Sequence, residues 1–183
     1  ASQVYSADGK IIGKYFAENR VSIPLRFISD NVKNALFATE DFNFYEHSGI
    51  DFKATMSLFV YNFILFKKRG GSTISQQTVK NVFRMRRDPA MQGYLTNWPI
   101  IGKVSIKLKE WITTTSLEKN YSKDEILSLY LNNVDFGRHA YGINAAANIY
   151  FKKSPQDLEI HEAALLIGLL KGPSYYSPTR NKK

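Results

Sequence analysis

Apolar positions along this chain recur mostly three and four residues apart, the spacing of helices with one buried face; only near the N-terminus does a shorter pattern intervene. There Val4-Tyr5 and Ile11-Ile12 flank Asp8-Gly9, which accepts the positive backbone angles of a tight turn, so Val4 to Tyr15 reads as a hairpin and as the only β structure. Past Pro24, Ser29 or Asp30 can cap a helix through Val32, Ala35, Leu36 and Thr39. It leads to the Glu40 cluster, and if it is helical as far as Tyr45, Glu40, Phe44 and His47 fall on one face, with Gly49 ending the element.

A second helix is expected to start near Asp51. From Ala54 to Phe66 it is apolar nearly all round and ends in Lys67-Lys68-Arg69; the run is too short to span a bilayer, which leaves a buried core helix or an interfacial segment with its basic end at anionic headgroups. Gly70-Gly71 precede a helix beginning at Ser72 or Thr73. Met85 to Val104 holds no sustained period and reads as a basic loop. A helix from about Ser105 to Lys119 carries Lys103, Lys107, Glu110, Trp111 and Thr114 on one stripe. Ser122 and Glu125 form a capping box that starts a core helix, Gly142 to Phe151 is a helix rich in small residues, and Glu162 to Leu170 is a strongly apolar helix stopped by Gly172-Pro173. The chain is therefore mainly helical, without repeats.

Composition narrows the partners. A formal charge of +9 and a pI near 9.6 over 183 residues call for an anion: nucleic acid, a phosphorylated substrate or a membrane surface. No basic stripe interleaved with aromatics is present, which speaks against nucleic acid. With no cysteine, a disulfide framework and a thiolate metal site are both excluded. No signal-type segment opens the chain and a basic run closes it, so it reads as a piece of something longer.

Candidate chemistry gathers in three places. Glu40-Asp41, Phe44 and His47 put two carboxylates, a ring and an imidazole close together, and a half-buried Glu40 is suited to general-base work; the plainer alternative is a capped helix end. Gly71, Ser72 and Thr73 can bring backbone amides to an anion, and Gln76, Lys80 and Arg84 follow at i+4 spacing, so the segment is a candidate diphosphate cradle or else an ordinary glycine loop. It is not a Walker P-loop, whose spacing is absent. Lys107 and Glu110 are either part of a site for phosphate leaving groups or a surface ion pair.

Together these segments resemble the peptidoglycan glycosyltransferase domain of class A penicillin-binding proteins and monofunctional transglycosylases. The residues that carry the resemblance are Glu40-Asp41-x-x-Phe44-x-x-His47-x-Gly49; Gly70-Gly71-Ser72-Thr73-Ile74-x-Gln76-Gln77 with Lys80-Asn81; Lys107 and Glu110; Glu125 to Asn132 with Tyr141-Gly142; and Glu162 to Leu166 running on to Pro178. They stand in the family's order from about Ile23 to Pro178, and the hairpin is more like the class A lead-in. The resemblance implies an all-α, lysozyme-like domain of two lobes with a cleft, spanning 23–183 after an N-terminal hairpin and linker at 1–22, with the transpeptidase domain absent. It implies polymerisation of lipid II with inversion and release of polyprenyl diphosphate. Glu40 and Glu110 would be catalytic, and Asp41, Phe44, His47, Gly71, Ser72, Thr73, Gln76, Gln77, Lys80, Asn81, Arg84 and Lys107 would bind substrate. No cofactor is obligatory, although Glu110 could hold a divalent Mg2+ or Mn2+. Implied partners are lipid II, the growing lipid-linked glycan, the outer face of the bacterial cytoplasmic membrane and phosphoglycolipid inhibitors of the moenomycin type, with the membrane anchor outside this chain. A lysozyme-like hydrolase and a non-catalytic basic membrane module are the alternatives. Three departures stand out: Ile106 replaces an Arg, the link from Asn81 to Lys107 is long, and Lys152 stands where Gly is usual. None touches either glutamate.

Overall fold

The computed structural model describes residues 2–15, 21–57, 71–83, 99–172 and 175–176. Strands β1 (Ser2–Tyr5) and β2 (Ile11–Tyr15) form the expected antiparallel hairpin, with Ser2 opposite Tyr15 and Gly9 at φ 79° in the turn. Apart from a single bridge between Asp135 and Tyr141, the other regular structure among the described residues is helical, the lysozyme-like class expected from sequence.

Helix α1 (Asp30–Glu40) starts where Ser29 Oγ accepts the Asn31 N–H, buries Val32 and Leu36, and packs on α7 (Ile160–Leu169). It stops at Glu40, not at Tyr45. Asp41 leaves the helical region at φ −160°, ψ 79°, and the Phe44 N–H then closes a turn on the Asp41 carbonyl at 3.2 Å. The physical reason lies in the rings: two helical turns would hold Phe37 and Phe44 about 10 Å apart, whereas the turn stacks them at 5.7 Å and buries Phe44 completely. Glu40 and Phe44 thus do not share a helix face.

Helix α2 begins as expected, with the Ala54 N–H bonded to Asp51 Oδ1 at 2.8 Å, and is described over 52–57. The remainder of the apolar run, including Leu58, Phe59, Phe63, Phe66 and the basic Lys67 to Arg69, lies outside the described residues. Helix α3 (Ile74–Val82) is capped by Thr73. Helix α4 (Pro99–Asn120) starts at Pro99 rather than Ser105, so the last part of the expected 85–104 loop is helical; proline presets the backbone angle of a first turn and has no N–H that would go unbonded there. Among the described residues no helix is long and apolar enough to cross a membrane.

Helix α5 (Lys123–Asn133) opens on the predicted capping box of Ser122 and Glu125, and buries Ile126, Leu127, Tyr130 and Leu131. Against it pack α3, α4 and α6 (Ile143–Phe151), whose buried Ala145, Ala146 and Ala147 allow close approach. Helix α7 begins at Ile160, two residues ahead of Glu162, because Glu159 and Glu162 cap its first turn. The lead-in segment is tied down by an amide: Asn132 accepts the Ile23 N–H and donates to the Ile23 carbonyl, both at 2.9 Å, as a paired strand would.

Lys152 ends α6 in the left-handed conformation, φ 57° and ψ 29°, which explains why glycine is usual at this place. The side chain is exposed, so the backbone strain is uncompensated by burial. Lys152→Gly is expected to raise the unfolding free energy by about 1 kcal/mol in chemical denaturation; a decrease would mean that the lysine itself holds the helix end.

Candidate active site

The loop after α1 is fastened to the start of α3 by its own polar groups. Asp41 is buried and takes three bonds: His47 Nε2 lies 3.0 and 3.1 Å from its two oxygens, and the Ile74 N–H donates to Oδ2 at 2.9 Å. Because the Gly49 N–H points at His47 Nδ1 from 3.1 Å, that nitrogen accepts and the ring proton faces Asp41 from Nε2. Thr73 donates to the Gly49 carbonyl at 2.6 Å while its oxygen accepts the Gln76 N–H. Two amides at the head of α3 are therefore bonded internally, and Asp41, His47 and the ring of Phe44 serve to shape this loop.

Gly49 has a positive φ of 89°, and a Cβ there would stand 2.8 Å from both Glu118 Cγ and Thr114 Cγ2. Glu118 comes that close because it belongs to a charged knot beneath the loop. Lys123 Nζ donates to the His47 carbonyl at 2.6 Å and to Glu118 Oε1 at 2.8 Å, and it sits 4.6 Å from the centre of the Phe44 ring. Ser75 Oγ donates to the same Glu118 oxygen. This knot joins α3, α4 and α5 to the loop. Nearby, Tyr45, an exposed residue, donates to Asp124 at 2.9 Å, and partial loss of hydration, reinforced by that carboxylate, pushes its phenol up to about 12.

The two candidate glutamates are linked through the start of α3. Gln77 Nε2 donates to Glu40 Oε2 at 2.8 Å and to the Ser72 carbonyl at 3.2 Å. Ser72 Oγ lies 3.2 Å from Lys107 Nζ, which also donates to Gln76 Oε1 at 3.0 Å and to Glu110 Oε2 at 3.2 Å. Glu110 is 1% exposed, so its pair with Lys107 is no surface ornament. The lysine side chain remains 34% exposed and the glutamate 2%, which makes the face presented to a ligand cationic. Along α3, Lys80 and Asn81 follow half-buried, and Gly71 is exposed at the entrance; Arg84 and Gly70 lie outside the described residues.

Glu110 was a candidate for a divalent ion. Its neighbourhood already holds an ammonium among three oxygens, from Ser72, Gln76 and Glu110, and among the described residues no three His, Asp or Glu side chains group as a metal site. Ile106 stands half-buried in the place of the family's arginine. Trp111 lies beside this stripe with its ring 6.4 Å from Phe52, and its Nε1 is buried without a partner among the described residues.

The sequence assigns no role to Ser75, Glu118 or Lys123, and places Tyr130 only within the Glu125 to Asn132 motif. Lys123 in particular reads as an ordinary first-turn residue, since its partners are set by tertiary contact. Removing its charge leaves the buried Glu118 carboxylate without a counter-charge and with only Ser75 Oγ as donor, so Lys123→Met is expected to destabilise the fold by about 3 kcal/mol in urea unfolding, with part of the loss restored by adding Glu118→Gln. Losses that simply add would show that the two charges do not depend on one another.

A family model described as transglycosylase matches residues 8–183. The chain is 39% identical over 184 residues to penicillin-binding protein 1A of Rickettsia bellii, covering 98% of this chain and 22% of that protein. It is 38% identical over 180 residues to penicillin-binding protein 1F of Bacillus subtilis, and 37% identical over 179 residues to penicillin-binding protein 1A of Aquifex aeolicus, covering 97% of this chain and 23% of each relative. The chain thus spans less than a quarter of the length of these relatives.

Proposed function

The chain belongs to the transglycosylase family, and on that premise we propose that it is a peptidoglycan glycosyltransferase that polymerises lipid II, a disaccharide-peptide carried on a polyprenyl diphosphate. The observation that carries this reading is the pairing of a half-buried carboxylate, Glu40, with a partly exposed lysine, Lys107, held on the two sides of Ser72 by the head of α3. Glu40 takes the proton from the acceptor's sugar hydroxyl. That oxygen forms a bond to the anomeric carbon of the growing chain as the bond to diphosphate breaks, and the electron pair leaves with the diphosphate; attack from the opposite face inverts the centre. A diphosphate leaves readily when its charge is met, so the need is for fixed positive charge rather than a strong acid. Lys107 meets that need with Lys80 behind it, and buried Glu110 orients Lys107. A divalent ion would assist at the diphosphate from outside the Ser72, Gln76 and Glu110 oxygens, which the ammonium engages.

The lipid end of such a substrate requires an apolar approach. Val104, Leu108 and Ile112 follow one another at i+4 along α4 and are all exposed, Ile112 by 71%, while Phe52 and Met56 on α2 are exposed by 69% and 65%. The contact between Phe52 and Trp111 ties α2 to α4, and a shallow cavity of about 560 Å³ on the α2 side is lined by Phe52, Lys53, Met56 and Ser57. A patch of this kind on a chain of charge +9 fits the surface of an anionic bilayer.

Two outcomes test these assignments. Glu40→Gln is expected to lower turnover of lipid II by at least ~100-fold while leaving its binding nearly intact; equal losses of binding and rate would remove Glu40 from the role of base. Replacing both Leu108 and Ile112 by Asp is expected to weaken binding to anionic phospholipid vesicles without lowering the melting temperature, and unchanged vesicle binding would contradict the membrane assignment.

A further inference from the structure

Tyr130 is 1% exposed, set in the middle of α5 among Ile126, Leu127 and Leu131. Phenylalanine would fill the same space, so packing alone gives no reason for a hydroxyl there, and a buried hydroxyl needs a partner. Its partner is the Gln77 side chain: Tyr130 Oη donates to Gln77 Oε1 at 3.1 Å. The other end of that amide donates to Glu40 Oε2 at 2.8 Å and to the Ser72 carbonyl at 3.2 Å. We propose that Tyr130 is a positioning residue for Glu40, acting through the Gln77 amide.

The orientation of that amide is fixed from both ends. Turned over, Gln77 would set its carbonyl oxygen against a carboxylate and a backbone carbonyl, and the Tyr130 proton would lose its acceptor. As it stands, the NH2 group faces two acceptors and the oxygen faces one donor, so each bond favours the others. Burial, with the charge of Glu40 behind it, holds the Tyr130 phenol far above its ordinary range, so the group stays a donor at any working pH. Glu40 stands at the C-terminal end of α1, where the chain turns away, and the amide from α3 is what aims its carboxylate. The hydrogen bond occupies Oε2; Oε1 takes none from the described residues and is the oxygen left for the acceptor hydroxyl. Without the phenol, the amide can rotate and the base loses its fixed direction, which lowers the rate of proton transfer while the diphosphate contacts of Lys107 stay in place.

The inference rests on the reading of Glu40 as base, and the experiment keeps the two apart. Turnover and KM for lipid II are measured for Tyr130→Phe, Gln77→Leu, the double variant and Glu40→Gln, with thermal melting of each. Tyr130→Phe is expected to lower kcat roughly ten-fold with KM within about two-fold, and to have no further effect once Gln77 is Leu. Wild-type kcat in Tyr130→Phe, a loss confined to KM, or losses that multiply in the double variant would overturn the proposal, even with Glu40→Gln inactive. An active Glu40→Gln would instead sink the base assignment itself. Should Tyr130→Phe fail to fold, Gln77→Leu at a half-buried site decides alone: a fall in kcat with KM kept supports the link, and wild-type kcat overturns it.

Discussion

A helix that buries Ser75, Gln76 and Thr78 between two neighbours must find a partner for every polar group, because each one left unbonded costs about 1–3 kcal/mol. In α3 this requirement is met, and the partners are the site. Thr78 bonds back to the Ile74 carbonyl, Ser75 reaches Glu118, and Gln76 receives Lys107. The head of the helix is closed by Thr73 and by the Asp41 carboxylate, a negative charge where a helix start favours one. Positions next to these buried ones, Ser72 and Gln77, then have no freedom in where they point. Local satisfaction of a buried polar helix is what brings Glu40 and Lys107 into register.

Charge is arranged in depth. The carboxylates Asp41, Glu110 and Glu118 lie inside, each against a cation or donors, while the ammonium of Lys107 remains partly open to solvent. An approaching anion therefore meets positive charge first, and the buried acids hold that charge in position. Desolvated pairs of this kind add little net stability, since the cost of burying each ion offsets most of their attraction. Their return is geometric: an ammonium held by three oxygens cannot wander.

Periodicity and caps were enough to place the helices of the core, because apolar spacing and the Ser122 and Glu125 box are local signals. They failed at the two ends of the candidate site. The pattern from Val32 to Tyr45 is compatible with a helix throughout, and only the burial of Phe44 on Phe37, together with the use of Asp41 as a cap for α3, ends it at Glu40. Likewise Pro99 and Gly102 read as breakers, yet one opens α4 and the other is buried within it. The motif residues of the site were legible because they cluster in sequence. The roles of Tyr130 and Lys123 were not, since Tyr130 meets Gln77 and Lys123 meets the His47 carbonyl across 53 and 76 positions, and their own neighbours in sequence do not show these partners.

On the proposed function, this constellation transfers a sugar to a sugar. Lipid II labelled with 13C at its anomeric carbon, incubated with the chain and followed by NMR and by release of polyprenyl diphosphate, tests it most directly. Lengthening glycan is expected, in which the labelled carbon has inverted and is bonded to the next sugar, formed in step with diphosphate release. Labelled disaccharide released with a free reducing end, or cleavage of finished peptidoglycan in place of polymer growth, would contradict it.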